Sequence, residues 1–160
     1  MKKLNVLLAE DDKTMQAIFK KGIAIGSKKE RFALTMVDNG KEAVETYEKI
    51  KPDIVVLDVI MPFFNGYKAL SEIRSIEKRG KNDSAVVIML TSLQNKSYIF
   101  EALELGADGY IKKPYNNKVS GEAIYKCYKK IKIDGKKIEE KKVAKEEKKY
   151  GEYLNSKGIT

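Results

Sequence analysis

Five short apolar runs, each followed by a segment with helical spacing, constrain this chain more than any other feature. The runs are 4–9, 32–37, 54–57, 85–90 and a short one at 109–111. Between them, Met15, Ile18, Phe19 and Ile23 recur at helical spacing within 13–25. Asp38-Asn39-Gly40 supplies turn and cap chemistry for a second helix carrying Ala43, Val44, Tyr47 and Ile50, which Pro52 stops. Further helices are expected at 66–79, 96–105 and 116–131. Continuous apolar strands, as opposed to strands alternating with period two, belong to a sheet covered on both faces, and strict strand–helix alternation makes that sheet parallel. Right-handed crossovers leave few topologies, of which the doubly wound order 2-1-3-4-5 is the usual one at this length.

In such a sheet, ligands gather beyond the carboxyl ends of the strands. Strand one ends in Glu10-Asp11-Asp12, strand three in Asp58, strand four in Thr91-Ser92, and strand five leads into Lys112-Lys113-Pro114. If strands one and three are neighbours, their carboxylates converge, and their mutual repulsion raises pKa values unless a cation is present. A hard divalent ion such as Mg²⁺ suits carboxylate, carbonyl and water oxygens. A carboxylate beside it can act as a nucleophile toward phosphorus, with a lysine and a hydroxyl holding the other phosphoryl oxygens. Taken singly, each element has an ordinary explanation. Acidic residues after a strand are often helix N-caps, and Asp12 is expected to be one.

At these residues the chain resembles the response regulator receiver family, of the single-domain chemotaxis kind. Val6-Leu7-Leu8-Ala9-Glu10-Asp11-Asp12 resembles the family's acidic cluster, and Leu57-Asp58-Val59-Ile60-Met61-Pro62 followed by Gly66 resembles its phosphorylation loop. Met89-Leu90-Thr91-Ser92 and Gly106-Ala107-Asp108-Gly109-Tyr110-Ile111-Lys112-Lys113-Pro114 resemble the segments carrying the switch threonine, the switch aromatic and the lysine. The resemblance spans roughly 4–131 and implies a flavodoxin-like α/β fold with helices on both faces of the sheet. It implies Asp58 as phosphoacceptor, and Glu10, Asp11, Asp58 and the backbone carbonyl of Ile60 as the protein side of a Mg²⁺ (or Mn²⁺) site, Glu10 acting through water. It further implies Thr91 and Lys113 as phosphoryl contacts, Thr91 and Tyr110 as the switch pair, and a Lys113–Pro114 bond that is usually cis in the family. The phosphodonor would be a sensor histidine kinase or a phosphotransfer protein. The output would be an unidentified protein docking on the face of helix four, strand five and helix five. The chain would then be a phosphorylation switch and not a conventional enzyme, limited to its own phosphorylation and slow dephosphorylation, as a monomer or a phosphorylation-linked dimer.

Two other classes are weaker. Phosphohydrolases with an aspartate nucleophile on a parallel sheet usually carry a second Asp two residues later, where this chain has Ile60. A net charge of +9 suggests nucleic acid, but the excess is spread along the chain, +7 over 1–133 and +2 over 134–160. It also comes from Lys; only Arg31, Arg74 and Arg79 offer the guanidinium fork used to read bases. A solvated lysine-rich surface explains the charge better. No apolar run is long enough to span a bilayer, and the residues before Glu10 are too few for a signal-peptide core. Cys127, the one cysteine, is expected to be a small buried helix residue in a reducing compartment, so the protein is expected in the cytoplasm. The receiver unit is expected over 1–133. In 134–160, Glu139-Glu140-Lys141-Lys142 recurs as Glu146-Glu147-Lys148-Lys149, which reads as a charged, partly helical extension lacking a clean a/d seam.

Overall fold

A computed structural model describes residues 2–25, 31–81, 83–92, 96–113 and 120–134. Five parallel strands, β1 (Leu4–Ala9), β2 (Phe32–Val37), β3 (Ile54–Asp58), β4 (Val86–Thr91) and β5 (Gly109–Lys112), form one sheet in the order β2-β1-β3-β4-β5. They alternate with α1 (Lys13–Ile25), α2 (Gly40–Ile50), α3 (Gly66–Gly80), α4 (Lys96–Glu104) and α5 (Ser120–Tyr128). This is the doubly wound arrangement expected from the alternation.

The side-chain alternation of the strands sorts the core into two layers. Val6, Leu8, Ile54, Val56, Val86, Ile88 and Leu90 face α1 and α5, meeting Phe19, Ile23, Ile124 and Cys127. Leu7, Ala9, Val55, Leu57, Val87 and Met89 face the other way, onto Ala43 and Tyr47 of α2, Ala69, Leu70 and Ile73 of α3, and Ala102 of α4. β3 and β4 are therefore apolar at every position before their last residue, because both of their faces are covered. β2 lies at an edge, and its apolar run FALTMV is only partly buried.

The helix starts follow from local chemistry. Asp12 Oδ1 accepts from the backbone N–H groups of Thr14 and Met15, capping α1 as expected. Asn39 and Asn65 do the same for α2 and α3 through the N–H groups of Glu42 and Lys68. Gly66 opens α3 against the end of β3. A Cβ at this position would sit 2.1 Å from the carbonyl oxygen of Asp58, so only glycine lets the helix lie on that strand.

Several boundaries differ from the sequence reading by a residue or two, and two of them have a visible cause. β4 begins at Val86 and not Ala85, because the Ala85 N–H donates to Glu77 Oε1 at 2.8 Å instead of joining the ladder. The last helix passes Ile131 and closes in a π-helical turn, Lys129–Ile133, marked by Asp134 N–H donating to Lys129 O at 2.9 Å. Packing of Tyr128 and Ile131 on the α1/α5 core accompanies that wider turn. The expected start of this helix at 116, the Lys113–Pro114 bond, Leu93 and the extension beyond Asp134 lie outside the described residues. No helix among the described residues is long and apolar enough to cross a membrane.

Candidate functional site

The parallel pairing of β1 with β3 and of β3 with β4 places three strand ends side by side. β1 ends one residue before Glu10, β3 ends in Asp58, and β4 ends in Thr91. One carboxylate oxygen each from Glu10, Asp11 and Asp58 lies within 4.8 Å of the other two. Glu10 is fully buried and Asp58 is 5% exposed, whereas Asp11 faces solvent. Thr91 is buried, and its carbonyl accepts the Lys113 N–H at 2.7 Å, which carries the chain from β5 toward the carboxylates. Lys113 Nζ then lies 2.9 Å from Asp58 Oδ2 and 2.6 Å from Glu10 Oε2.

The Glu10–Lys113 contact is an ion pair on a buried carboxylate oxygen, Oε2. Burial raises the Glu10 carboxyl to about 7, with the Asp58 charge adding to that rise and the Lys113 contact opposing it. Burial works against the Lys113 ammonium too, but its contacts with Glu10 and Asp58 outweigh this and hold it above the usual lysine value. Two buried carboxylates and a third at the mouth, each with an oxygen within 4.8 Å of the others, form a donor set that fits a hard, oxygen-seeking divalent cation.

The raised Glu10 carboxyl gives the metal-free protein a definite pH dependence. A carboxyl bound more tightly to its proton in the folded state adds stability that is complete below the unfolded value, 4.5, and lost as pH rises through about 7. The metal-free protein should therefore gain stability, on the order of 3 kcal/mol at most, as pH falls from 8 toward 5. Urea unfolding at both pH values measures this, and Glu10→Gln should remove most of the difference. An equal slope in that variant would place its cause elsewhere.

Of the residues singled out in the sequence, Glu10, Asp11, Asp58 and Lys113 come together, and Thr91 stands at the end of β4. Ile60 is 60% exposed, and its N–H donates to Asp58 Oδ1 at 3.2 Å. Tyr110 pairs with Met89 across the β4–β5 ladder and is 39% exposed. Three features escaped sequence reading. Phe64 N–H donates to Pro62 O at 2.7 Å, closing a γ-turn around Phe63, which has φ 63° and is fully exposed. That is a strained conformation for a bulky residue, in the loop between β3 and α3. Gln16 is buried on α1 beside Glu10. Arg74, Glu77 and Asp108 form an ion-paired network at the opposite end of the sheet. The sequence signals these offered are weak: a Gln among apolar positions of α1, and an Arg and a Glu three residues apart on α3.

With this geometry established, comparison with known proteins identifies the class. The response regulator receiver domain profile matches residues 6–124, and the chain belongs to that family, the receivers of two-component systems. Family members are generally phosphoacceptor switches that bind Mg²⁺ at an acidic pocket and interact with histidine kinases or phosphotransfer proteins. Among its relatives is the chemotaxis protein CheY of Halobacterium salinarum, 34% identical over 120 residues, covering 74% of this chain and 92% of that one. The CheY of Listeria monocytogenes is 32% identical over 126 residues, covering 79% and 99% respectively. Among solved structures, the receiver domain of Ssk1 from Saccharomyces cerevisiae, crystallised with the histidine phosphotransfer protein Ypd1, superposes with a TM-score of 0.69. It is 26% identical and covers 81% of this chain and 91% of that one.

Proposed function

We propose that this receiver accepts a phosphoryl group on Asp58 from a phosphohistidine donor, either a sensor histidine kinase or a phosphotransfer protein. The observation that carries this reading is the convergence of Glu10, Asp11 and Asp58 with Lys113 in contact with two of them. An Asp58 carboxylate oxygen attacks phosphorus, the P–N bond to the donor imidazole breaks, and its electron pair returns to the ring nitrogen, leaving an acyl phosphate on Asp58. Glu10, Asp11, Asp58 and the Ile60 carbonyl would hold Mg²⁺, or Mn²⁺ in its place. When bound, the ion supplies positive charge against the carboxylates and the phosphoryl oxygens. Lys113 and the Thr91 hydroxyl contact the remaining phosphoryl oxygens, which costs Lys113 its present hold on Asp58. Tyr110 turns inward with Thr91, and the face of α4, β5 and α5 changes for a protein partner. The receiver unit is 1–133, and its single unpaired cysteine suits a cytoplasmic setting. The test is incubation with phosphoramidate. One phosphoryl group per chain should appear with Mg²⁺ and none with chelator; a chain that stays unlabelled with Mg²⁺ overturns the reading.

The acyl phosphate should be long-lived. In receivers, the residues two positions after the phosphoacceptor and two after the switch threonine flank the path of the hydrolytic water. By sequence these are Ile60 and Leu93, apolar side chains that can neither accept a hydrogen bond from it nor orient it. After removal of donor, decay should be slow, and Ile60→Asn combined with Leu93→Glu should speed it about tenfold, within the range that positioned polar groups supply. Decay of the parent within seconds, or no acceleration in the double variant, would count against this.

A further inference from the structure

Gln16 lies on the buried face of α1, among the apolar positions Met15, Phe19 and Ile23, and is only 7% exposed. A carboxamide there must be explained by its partners, because a buried amide without hydrogen bonds costs several kcal/mol. Its Nε2 donates to the backbone carbonyl of Glu10 at 2.6 Å and to Asp38 Oδ1 at 2.8 Å. Both of its amide hydrogens are thus used, one on the acidic turn after β1 and one on the turn after β2.

Both ends of this strap are anchored. The Glu10 N–H donates to Val37 O at 3.1 Å, so the peptide units on both sides of Glu10 are tied to neighbours. The Glu10 side chain turns back into the pocket, where Oε1 accepts the Asp12 N–H at 3.1 Å. On the far side, Asp38 Oδ1 also takes Lys13 Nζ at 2.6 Å, and the Asp38 N–H donates to Glu42 Oε2 at 3.2 Å. A free carboxylate on an exposed turn would be mobile; this one is held at both its backbone and its side chain.

Resting on the reading of Glu10 and Asp11 as metal ligands, we infer that Gln16 is a positioning residue of the metal pocket. It locks the Glu10–Asp12 turn into the ligand-ready conformation before any ion arrives, with Asp38 as its anchor. Pre-ordering of ligands by such supporting hydrogen bonds is where metal sites gain much of their affinity, and removing one support commonly costs tenfold or more.

The test uses the full chain and Mg²⁺ alone. Gln16→Met keeps the side chain's length and burial and deletes both donors. It should raise the Mg²⁺ dissociation constant about tenfold by calorimetry. The rate of phosphoramidate labelling at saturating Mg²⁺ should stay at the parent value, since the reacting groups are untouched. In the metal-free variant, hydrogen exchange at the Glu10 and Asp12 amides should accelerate, while amides in the middle of β4 keep the parent rate. Asp38→Ala and Asp38→Asn provide the second arm. Both remove the same charge, but only asparagine retains an Oδ1 acceptor for Gln16. Alanine should therefore weaken Mg²⁺ binding clearly more than asparagine, and this pair decides the matter should Gln16→Met fail to fold. A dissociation constant within twofold of the parent in Gln16→Met, or equal weakening by the two Asp38 variants, overturns the inference. A parent that binds no Mg²⁺ defeats the metal reading itself, and the exchange rates still report whether the strap orders the turn.

Discussion

Asp58→Ala should take up no phosphoryl group from phosphoramidate at any Mg²⁺ concentration, while the protein remains folded. The loss should be complete because no neighbouring group can substitute. Glu10 is fully buried and pressed against Lys113, and Asp11 points to solvent at the mouth of the pocket. The fold should survive for an electrostatic reason. Asp58 is one of the charges that raise the Glu10 carboxyl, so deleting it relieves a buried repulsion and leaves Lys113 paired with Glu10. Asp58→Asn should be equally inert to the donor, yet its amide oxygen can still accept the Ile60 N–H that Asp58 Oδ1 takes now. Intact-protein mass spectrometry measures the phosphoryl uptake, and thermal melting measures the fold. Labelling at the parent level in either variant would show that another residue is the acceptor.

The largest effect on stability is expected far from that pocket. Glu77 on α3 is 5% exposed, and its Oε1 accepts from Tyr47 Oη, the Ala85 N–H and Arg74 Nη1, while Oε2 takes Arg74 Nη1 at 2.8 Å. Arg74 in turn donates to the carbonyls of Ala85 and Gly106 and to Asp108 Oδ2. One buried ion pair thereby joins α2, α3, the start of β4 and the turn before β5. Removing one partner of such a pair leaves a desolvated charge, which typically costs 3–5 kcal/mol. Glu77→Ala would also orphan a buried N–H and a buried hydroxyl. It should lower stability by about 4 kcal/mol and the melting temperature by roughly 10 °C or more. Glu77→Gln keeps an acceptor for Tyr47 and Ala85 and should lose only about half as much. Urea unfolding of the two variants measures this, and a loss under 1 kcal/mol in Glu77→Ala would show that the network is dispensable.

These two regions differ in how far the sequence revealed them. The acceptor and its partners were legible because each sits at the end of an apolar run, and a parallel sheet brings the carboxyl ends of its strands to one edge. The Arg74–Glu77–Asp108 network was not legible, because α3 shows only that Arg and Glu are three residues apart. That spacing is normally a solvated surface pair. Its burial depends on Asp108, 34 residues away from Arg74, and on Ala85 turning its N–H out of the ladder.

By itself, the sequence determined the element order, the parallel sheet and the identity of the acidic and basic residues at its ends. Those properties depend on apolar periodicity and on strand polarity, which are local and repeat along the chain. Tertiary structure alone decided which polar groups meet. Gln16 reaches the Glu10 carbonyl and Asp38, 22 residues on, and Lys113 reaches Asp58 across 55 residues, because neighbouring strands and helices converge there. It also decided the burial that raises the Glu10 carboxyl and the left-handed turn that exposes Phe63. Hydrogen bonds, ion pairs and desolvation act over a few ångströms in space, and separation along the chain carries almost no information about them.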